Sequence, residues 1–398
     1  MNSTAPGPWL RLTALGAAAA TLLAVVSGAS HLGAAHQVLA ALAGPPLVAL
    51  LVAGWTAHRR LVAPTLVAGV AFVLAAALTP RDAHVGFAAL AFAATLVAVA
   101  QTVRTEKVAL SHNVPVRDYV TLTKPRIMSL LLVTGFCGMV AGARGWPGTG
   151  IAVAATAGLA LACGGASALN HVLDADIDRL MGKRTERRPV AAGRVAPSRA
   201  LEFGLALSAL SFVLLASAVN VLTATLALVG NLFYVLVYTR WLKRSTPQNI
   251  VIGGAAGAVP PLVGWAAATG NLTLPALFLF VIVFVWTPPH FWALALLIKE
   301  SYAAARVPML PVVRGDRETT RQIVWYSLLL VGVTVLPFLW GGAGLPYLAS
   351  ALALGAVFLG LALRLVTDAT RDRAGLLFHY SLLYLALLFA ALALDLAI

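Results

Sequence analysis

Acidic residues are scarce in this chain: 14 aspartates and glutamates among 398 residues, against 28 lysines and arginines. Charge of either sign is thin, at 11% of residues, while 60% are hydrophobic and the mean hydropathy is +0.90. That shortage excludes a soluble globular protein, because the polar residues left over would not cover its outside. Cysteine is nearly missing. The two present, Cys137 and Cys163, fall inside apolar runs, read as small buried hydrophobes, and indicate no disulfide framework. Internal repeats, heptad arrays and low-complexity tails are missing too, so neither a solenoid nor a long coiled coil is encoded.

What is there is a series of apolar runs, many of eighteen residues or more, long enough to cross a hydrocarbon core of about 30 Å. Inside lipid the backbone must satisfy its own hydrogen bonds, and runs of Ala, Leu and Val do that as helices. The chain therefore reads as an all-α polytopic membrane protein in contact with the lipid bilayer. Thirteen spans are predicted near 10–29, 37–57, 61–79, 84–103, 125–143, 150–170, 199–218, 220–239, 249–268, 272–297, 322–340, 345–366 and 376–396. With a cytoplasmic N-terminus, every Lys and Arg falls on the inside except Arg81 and Arg144, as the retention of cations in cytoplasmic loops requires. The formal charge of +14 thus reports topology, and nucleic acid is not the partner it indicates. The first span has small residues after it, as a signal peptide does, but its apolar stretch is long for one and reads as a retained anchor.

The runs divide into two parts. Residues 1–110 form a four-span extension with little charge beyond its topogenic cations. Its histidines, His31, His36, His58 and His84, lie near span ends and read either as haem or metal ligands or, in the favoured reading, as interfacial polar residues. Residues 104–120 read as a polar linker. Residues 111–398 hold nine spans and every dense polar motif.

The densest is "NHVLDADIDRLMGKRTERRP" at 170–189. Asn170, Asp174 and Asp178 recur every four residues, so a helix places them on nearly one face. Oxygen-bearing side chains converging at a membrane helix end repel one another without a cation, and Mg²⁺ takes such ligands while leaving positions for substrate phosphates. Asp176 points to the opposite face of an ideal helix. Lys183, Arg184, Arg187 and Arg188 follow, suited to phosphate oxygens. Acid followed by base suggests a metal-bridged diphosphate. The competing reading is a solvated loop with topogenic cations, which explains the arginines and leaves the aspartate comb unexplained.

Four further stretches face the same side. "DYVTLTKPRIMSLLL" places Lys124 and Arg126 at the start of the fifth span. "YTRWLKRSTPQNIVIGG" carries Tyr238, Arg240, Lys243, Arg244, Gln248 and Asn249. "WTPPHFWALALLIKESYAAARVPMLPV" combines Trp286, Pro288, Pro289, His290 and Trp292 with Lys299, Glu300 and Tyr302. The loop from Arg314 to Arg321 adds charge but little pattern. His290 within a span is a site candidate by default, with a hydrogen-bonded packing histidine as the equal alternative. Gly253, Gly254, Gly257, Pro260 and Pro261 read as close helix packing and a kink.

With "TLTKPRI", "RSTPQNIVIGGAAGAVPPLVGW", "WTPPHFWALAL" and "VPMLPVV", these motifs resemble the UbiA superfamily of intramembrane prenyltransferases, over roughly residues 117–398. The QNIVIGG and TPPHFW stretches are similar to its protohaem IX farnesyltransferase (haem O synthase) branch. The resemblance implies a nine-helix UbiA-type core around a central cavity in the cell membrane, with the active site on the cytoplasmic side, preceded here by four extra transmembrane helices. It implies that Asn170, Asp174 and Asp178 bind Mg²⁺-diphosphate and that Lys183, Arg187 and Arg188 assist. The implied reaction joins the farnesyl group of farnesyl diphosphate to a vinyl group of haem B, with addition of water, giving haem O. Haem A synthase is the implied partner downstream, and "HQVLAALAG" is faintly similar to its helices, too weakly to carry function. Two departures stand out: Ser301 replaces a usual aspartate, with Glu300 beside it as the substitute metal ligand, and Arg306 stands where a small or amide residue is common.

A haem needs apolar walls, aromatic faces, cations for its propionates and an axial ligand. Trp286, His290 and Trp292 supply the aromatic candidates; Lys243, Arg244 and Lys299 supply cations at the surface, and Tyr302 stands beside them. A prenyltransferase with another acceptor keeps the comb and changes this pocket. A transporter predicts inverted repeats and polar residues near mid-membrane, whereas these clusters gather on one face.

Overall fold

The structure is a computed structural model and describes residues 8–29, 43, 46–50, 62–77, 90–92, 94–95, 98 and 114–398. Two helices of the N-terminal part are described over most of their length, α1 (Pro8–Ala29) and α2 (Val62–Ala77), where the first and third spans are expected. Most of the second and fourth spans lies outside the described residues, as do Arg81, His31, His36, His58 and His84.

From residue 116 the order is α3 (Val116–Thr123), α4 (Pro125–Ala143), α5 (Thr149–Leu173), α6 (Ala175–Leu180) and α7 (Lys183–Glu186). Then come α8 (Pro197–Ala218), α9 (Val221–Ser245), α10 (Asn249–Thr269) and α11 (Leu274–Leu297). The last are α12 (Lys299–Ala304), α13 (Leu310–Val313), α14 (Gly315–Leu339), α15 (Leu345–Thr367) and α16 (Arg371–Ala397). Nine helices among the described residues, α4, α5, α8–α11 and α14–α16, are long and apolar enough to cross a membrane. No strand occurs among the described residues. The bundle is an integral, multi-pass membrane fold.

Its packing is that of a protein solvated by lipid. Large apolar side chains such as Leu210, Leu352 and Leu387 are exposed, while Ser208, Ser211, Thr223, Asn231 and Ser327 are buried between helices. Asn231 donates to the Ala162 carbonyl at 3.1 Å and to Ser208 Oγ at 2.8 Å, so these polar groups satisfy one another where lipid cannot. Close approach rests on glycine. A Cβ at Gly138 would meet the Pro261 carbonyl oxygen at 2.6 Å, and one at Gly264 would clash with the Gly135 carbonyl of α4. The two prolines inside α10 therefore lie against a glycine face of α4. Gly253 faces the Tyr238 ring and Gly254 faces Thr287, as close packing requires, but Gly257 has nothing within 4 Å of its would-be Cβ, so a packing role does not extend to it.

Three elements differ from expectation. The linker predicted over 104–120 gives way at Val116 to α3, whose Leu122 is fully buried with Val190 and Val195; an amphipathic turn docks there. The span expected from 322 begins at Gly315 because Thr319 and Thr320 are buried at the loop-bearing end. Within α9, Phe233–Leu242 is π-helical, a wider register that often marks functional sites.

Candidate active site

The comb lies where α5 breaks. Asp174 interrupts the helix with φ −96° and ψ 6°, yet the Asp174 amide still donates to the Asn170 carbonyl at 2.9 Å and the Asp178 amide to the Asp174 carbonyl at 2.8 Å. The four-residue spacing thus survives the break. Asp174 and Asp178 are fully buried and Asn170 is 3% exposed. Three cations reach them. Lys124 Nζ donates to Asn170 Oδ1 at 2.7 Å, Lys243 Nζ to Asp174 Oδ2 at 2.5 Å, and an Arg188 guanidinium nitrogen to Asp178 Oδ1 at 2.6 Å. Asn170 Nδ2 donates to Asp174 Oδ2 at 2.8 Å and to Thr239 Oγ1 at 3.1 Å. The π-helical register of α9 presents Thr239 and Lys243 to the comb.

Each buried carboxylate keeps one oxygen, Asp174 Oδ1 and Asp178 Oδ2, with no hydrogen-bond partner among the described residues; the former is 3.9 Å from Arg244. Two hard, desolvated anionic oxygens beside an amide oxygen form a donor set that suits a divalent cation with phosphate oxygens completing its shell. Among the described residues no three His, Cys, Asp or Glu side chains form a metal cluster by themselves.

Electrostatics bear out the crowding. Burial first, then Arg188 and Lys243, bring the Lys124 ammonium down to about 7, against the pull of Asp174 and Asp178. Burial pushes the Asp178 carboxyl up despite Arg188. Asp176 is turned away, as an ideal helix predicts, and holds Arg244 through two 2.7 Å bonds, which keep its carboxyl near 2. Arg244 also donates to the Leu173 carbonyl at 2.6 Å. It staples the broken end of α5.

The remaining candidates separate into those at the comb and those apart from it. Tyr302 is buried, its phenol pushed up to about 12 by burial, with Arg188, Asp174 and Asp178 acting on it as well. Lys243, expected at the surface, is instead buried on Asp174, because the π-turn rotates it inward. Arg126 and Arg187 are exposed. Lys299 pairs with Asp316 at 2.8 Å, and Glu300 is exposed with no hydrogen bond or ion pair among the described residues. The Lys183 and Arg184 side chains lie outside the described residues.

Further into the membrane, His290 stacks between Trp286 (4.3 Å, 15°) and Phe378 (4.8 Å, 21°). Its Nδ1 is 2.6 Å from Ser381 Oγ, and Trp286 Nε1 donates to the Ser381 carbonyl at 2.9 Å. Its Nε2 has no hydrogen bond among the described residues. Trp292, two residues beyond His290, lies on the opposite side of α11 from it and meets Tyr326 edge-on at 5.3 Å, so these aromatic side chains do not share one wall. Sequence reasoning missed Thr239, His171 and Asp118. His171 is 1% exposed, with both ring nitrogens unpartnered among the described residues; only its place beside Asn170 marked it.

A profile of the UbiA prenyltransferase family matches residues 131–393, which contain the whole comb. The chain belongs to that family. It is 54% identical over 282 residues to the protoheme IX farnesyltransferase of Symbiobacterium thermophilum, covering 70% of this chain and 94% of that one. The Thermus thermophilus protein of the same name is 53% identical over 282 residues, and there the match covers 71% of this chain but 46% of the relative. Among solved structures, a digeranylgeranylglyceryl phosphate synthase superposes with a TM-score of 0.60 at 17% identity, over 71% of this chain and 98% of that one. A UbiA homolog from Archaeoglobus fulgidus bound to GPP and Mg²⁺ gives 0.53 at 18% identity, over 69% and 99%. Both show the fold. The expected nine-helix core is thereby established.

Proposed function

We propose that this protein is a haem O synthase: it transfers the farnesyl group of farnesyl diphosphate to a vinyl group of haem B, with addition of water, releasing diphosphate. The observation that carries the reading is the comb, two buried carboxylates with free oxygens and three cations at one end of an apolar bundle. The 54% identity to a protoheme IX farnesyltransferase selects haem as the acceptor. The distribution of lysine and arginine supports a cytoplasmic position for this end.

Asn170, Asp174 and Asp178 would hold Mg²⁺, which supplies Lewis-acid neutralisation of the leaving diphosphate. Lys124, Lys243 and Arg188 already sit on the comb's oxygens and can turn to phosphate oxygens; Arg187 and Arg126 extend the basic rim, and Lys183 is assigned to the diphosphate by its place in the motif. Charge developing on the leaving group meets fixed cations in a desolvated site, where they act most strongly. The allylic cation then needs apolar and aromatic surroundings that exclude water, and the electron-rich vinyl group attacks it. No side-chain nucleophile is required. For the acceptor, the Trp286–His290 stack is the aromatic surface and His290 Nε2 the axial-ligand candidate. Trp292 supports it from behind, and Arg244 and Lys299 are the cations for propionates. Glu300 is the carboxylate assigned to the second cluster in place of the aspartate absent at Ser301. Haem A synthase is the partner that would take the product.

The test is chromatography of haems extracted after expression in a host lacking its own haem O synthase. Haem O appears on this reading, and chelation of Mg²⁺ in isolated membranes stops its formation. Unchanged haem B, with prenylation of an aromatic acid instead, moves the chain to another branch of the family.

A further inference from the structure

We propose that Asp118 and Arg194, neither of which reaches the comb, are positioning residues that hold the two cationic arms of the diphosphate site, Lys124 and Arg188, in register. The inference rests on the prenyl-diphosphate half of the reading above. Asp118 lies in the first turn of α3 and is 3% exposed. Arg194, on the loop that follows α7, closes on it with a fork: Nε at 3.0 Å from Oδ2 and 3.2 Å from Oδ1, and a terminal nitrogen at 3.1 Å from Oδ1. The same terminal nitrogen donates to the Arg187 carbonyl at 3.0 Å.

These contacts close a ring. From Asn170 it passes through Lys124, up α3 to Asp118, across Arg194 to the Arg187 carbonyl, and through the adjoining Arg188 to Asp178. One segment of that ring, Asp118 with Arg194, touches neither comb nor leaving group. Lys124 itself adopts φ 50°, a left-handed conformation that a lysine holds only when its surroundings impose it. Asp118 ties α3, whose C-terminal cap is Lys124, to the Arg188 loop.

The pair is poorly explained as a stabilising ion pair. Asp118 is buried and needs a partner, but the Arg194 side chain is 43% exposed, and a half-exposed pair contributes less to stability than a buried one. Its fork geometry and its bond to a carbonyl next to a comb-binding arginine define a position instead.

The test uses the purified full chain in detergent with Mg²⁺ and farnesyl thiodiphosphate, a slowly ionising analogue, in calorimetric titration, and haem B in absorption titration. Arg194→Lys keeps the charge for Asp118 but has one ammonium for two partners. Asp118→Asn keeps the shape without the charge. Both variants should bind the analogue roughly tenfold more weakly, the factor expected for one charge-assisted hydrogen bond lost from a binding site. Haem B affinity should stay unchanged, and Arg194→Lys should melt near the wild-type temperature. Unchanged analogue affinity in folded Arg194→Lys overturns the proposal. So does equal weakening of analogue and haem, which is the mark of a general structural role. Failure of the wild-type protein to bind the analogue overturns this inference and the reading beneath it together.

Discussion

At the residue scale, Asp174 stands at the middle of the comb: Asn170 and Lys243 donate to one oxygen, and the second has no hydrogen bond among the described residues and lies 3.9 Å from Arg244. Asp174→Asn preserves shape and removes the charge that balances Lys243 and a bound divalent ion. Turnover of farnesyl diphosphate should fall by about a hundredfold or more, since a lost electrostatic donor or ligand costs several kcal/mol of leaving-group stabilisation; single-turnover kinetics on folded protein measures it. Arg306 has a different physics. It has φ 53°, with the Arg306 amide on the Ala303 carbonyl at 3.0 Å and the Val307 amide on the Tyr302 carbonyl at 3.0 Å, the hydrogen-bond pair that closes a helix through a left-handed residue. The residue at this position therefore ends α12 in a left-handed turn. Arg306 is exposed, so Arg306→Gly should stabilise the protein by about 1 kcal/mol with unchanged activity, read from thermal melting in detergent.

At the element scale, α4 and α10 meet backbone to backbone at Gly135 and Gly264. A Cβ at Gly264 would also stand 2.8 Å from the Gly135 carbonyl carbon and 2.9 Å from the Met139 amide. Backbone cannot yield as a side chain does, so Gly264→Ala should destabilise by about 2 kcal/mol or more. Gly257→Ala, in the same helix with open space at its Cβ, should be neutral or slightly stabilising. Comparing the two melting temperatures separates close packing from helix propensity.

At the scale of the whole molecule, the N-terminal part rests on the flank of the core. Ala14, Ala17, Leu47 and Phe92 share a buried cluster with Phe212, Leu215 and Ala224 of α8 and α9, and Phe92 meets Phe212 edge-on at 5.5 Å. None of these residues belongs to the comb. A chain starting near residue 112 should therefore insert and make haem O, with a lowered melting temperature because Phe212 and Leu215 lose their cover. A well-folded truncation without activity would show that the extension takes part in the site.

The sequence by itself determined the helical membrane class, the nine core spans and the comb, because each depends on near neighbours. An apolar run spans a bilayer by its own length, and a four-residue spacing shares a helix face whatever surrounds it. Tertiary structure alone decided which cations serve the comb. Lys243 lies 69 residues from Asp174 and Arg194 lies 76 from Asp118, and neither separation has a local signature. Whether Lys243 faced solvent or carboxylate depended on a π-turn, whose extra residue per turn rotates everything after it. What covers His290, and what Trp292 meets, likewise came from Ser381, Phe378 and Tyr326 on other helices. Desolvation, the source of the site's electrostatic strength, is a property of the assembled bundle and of no single segment.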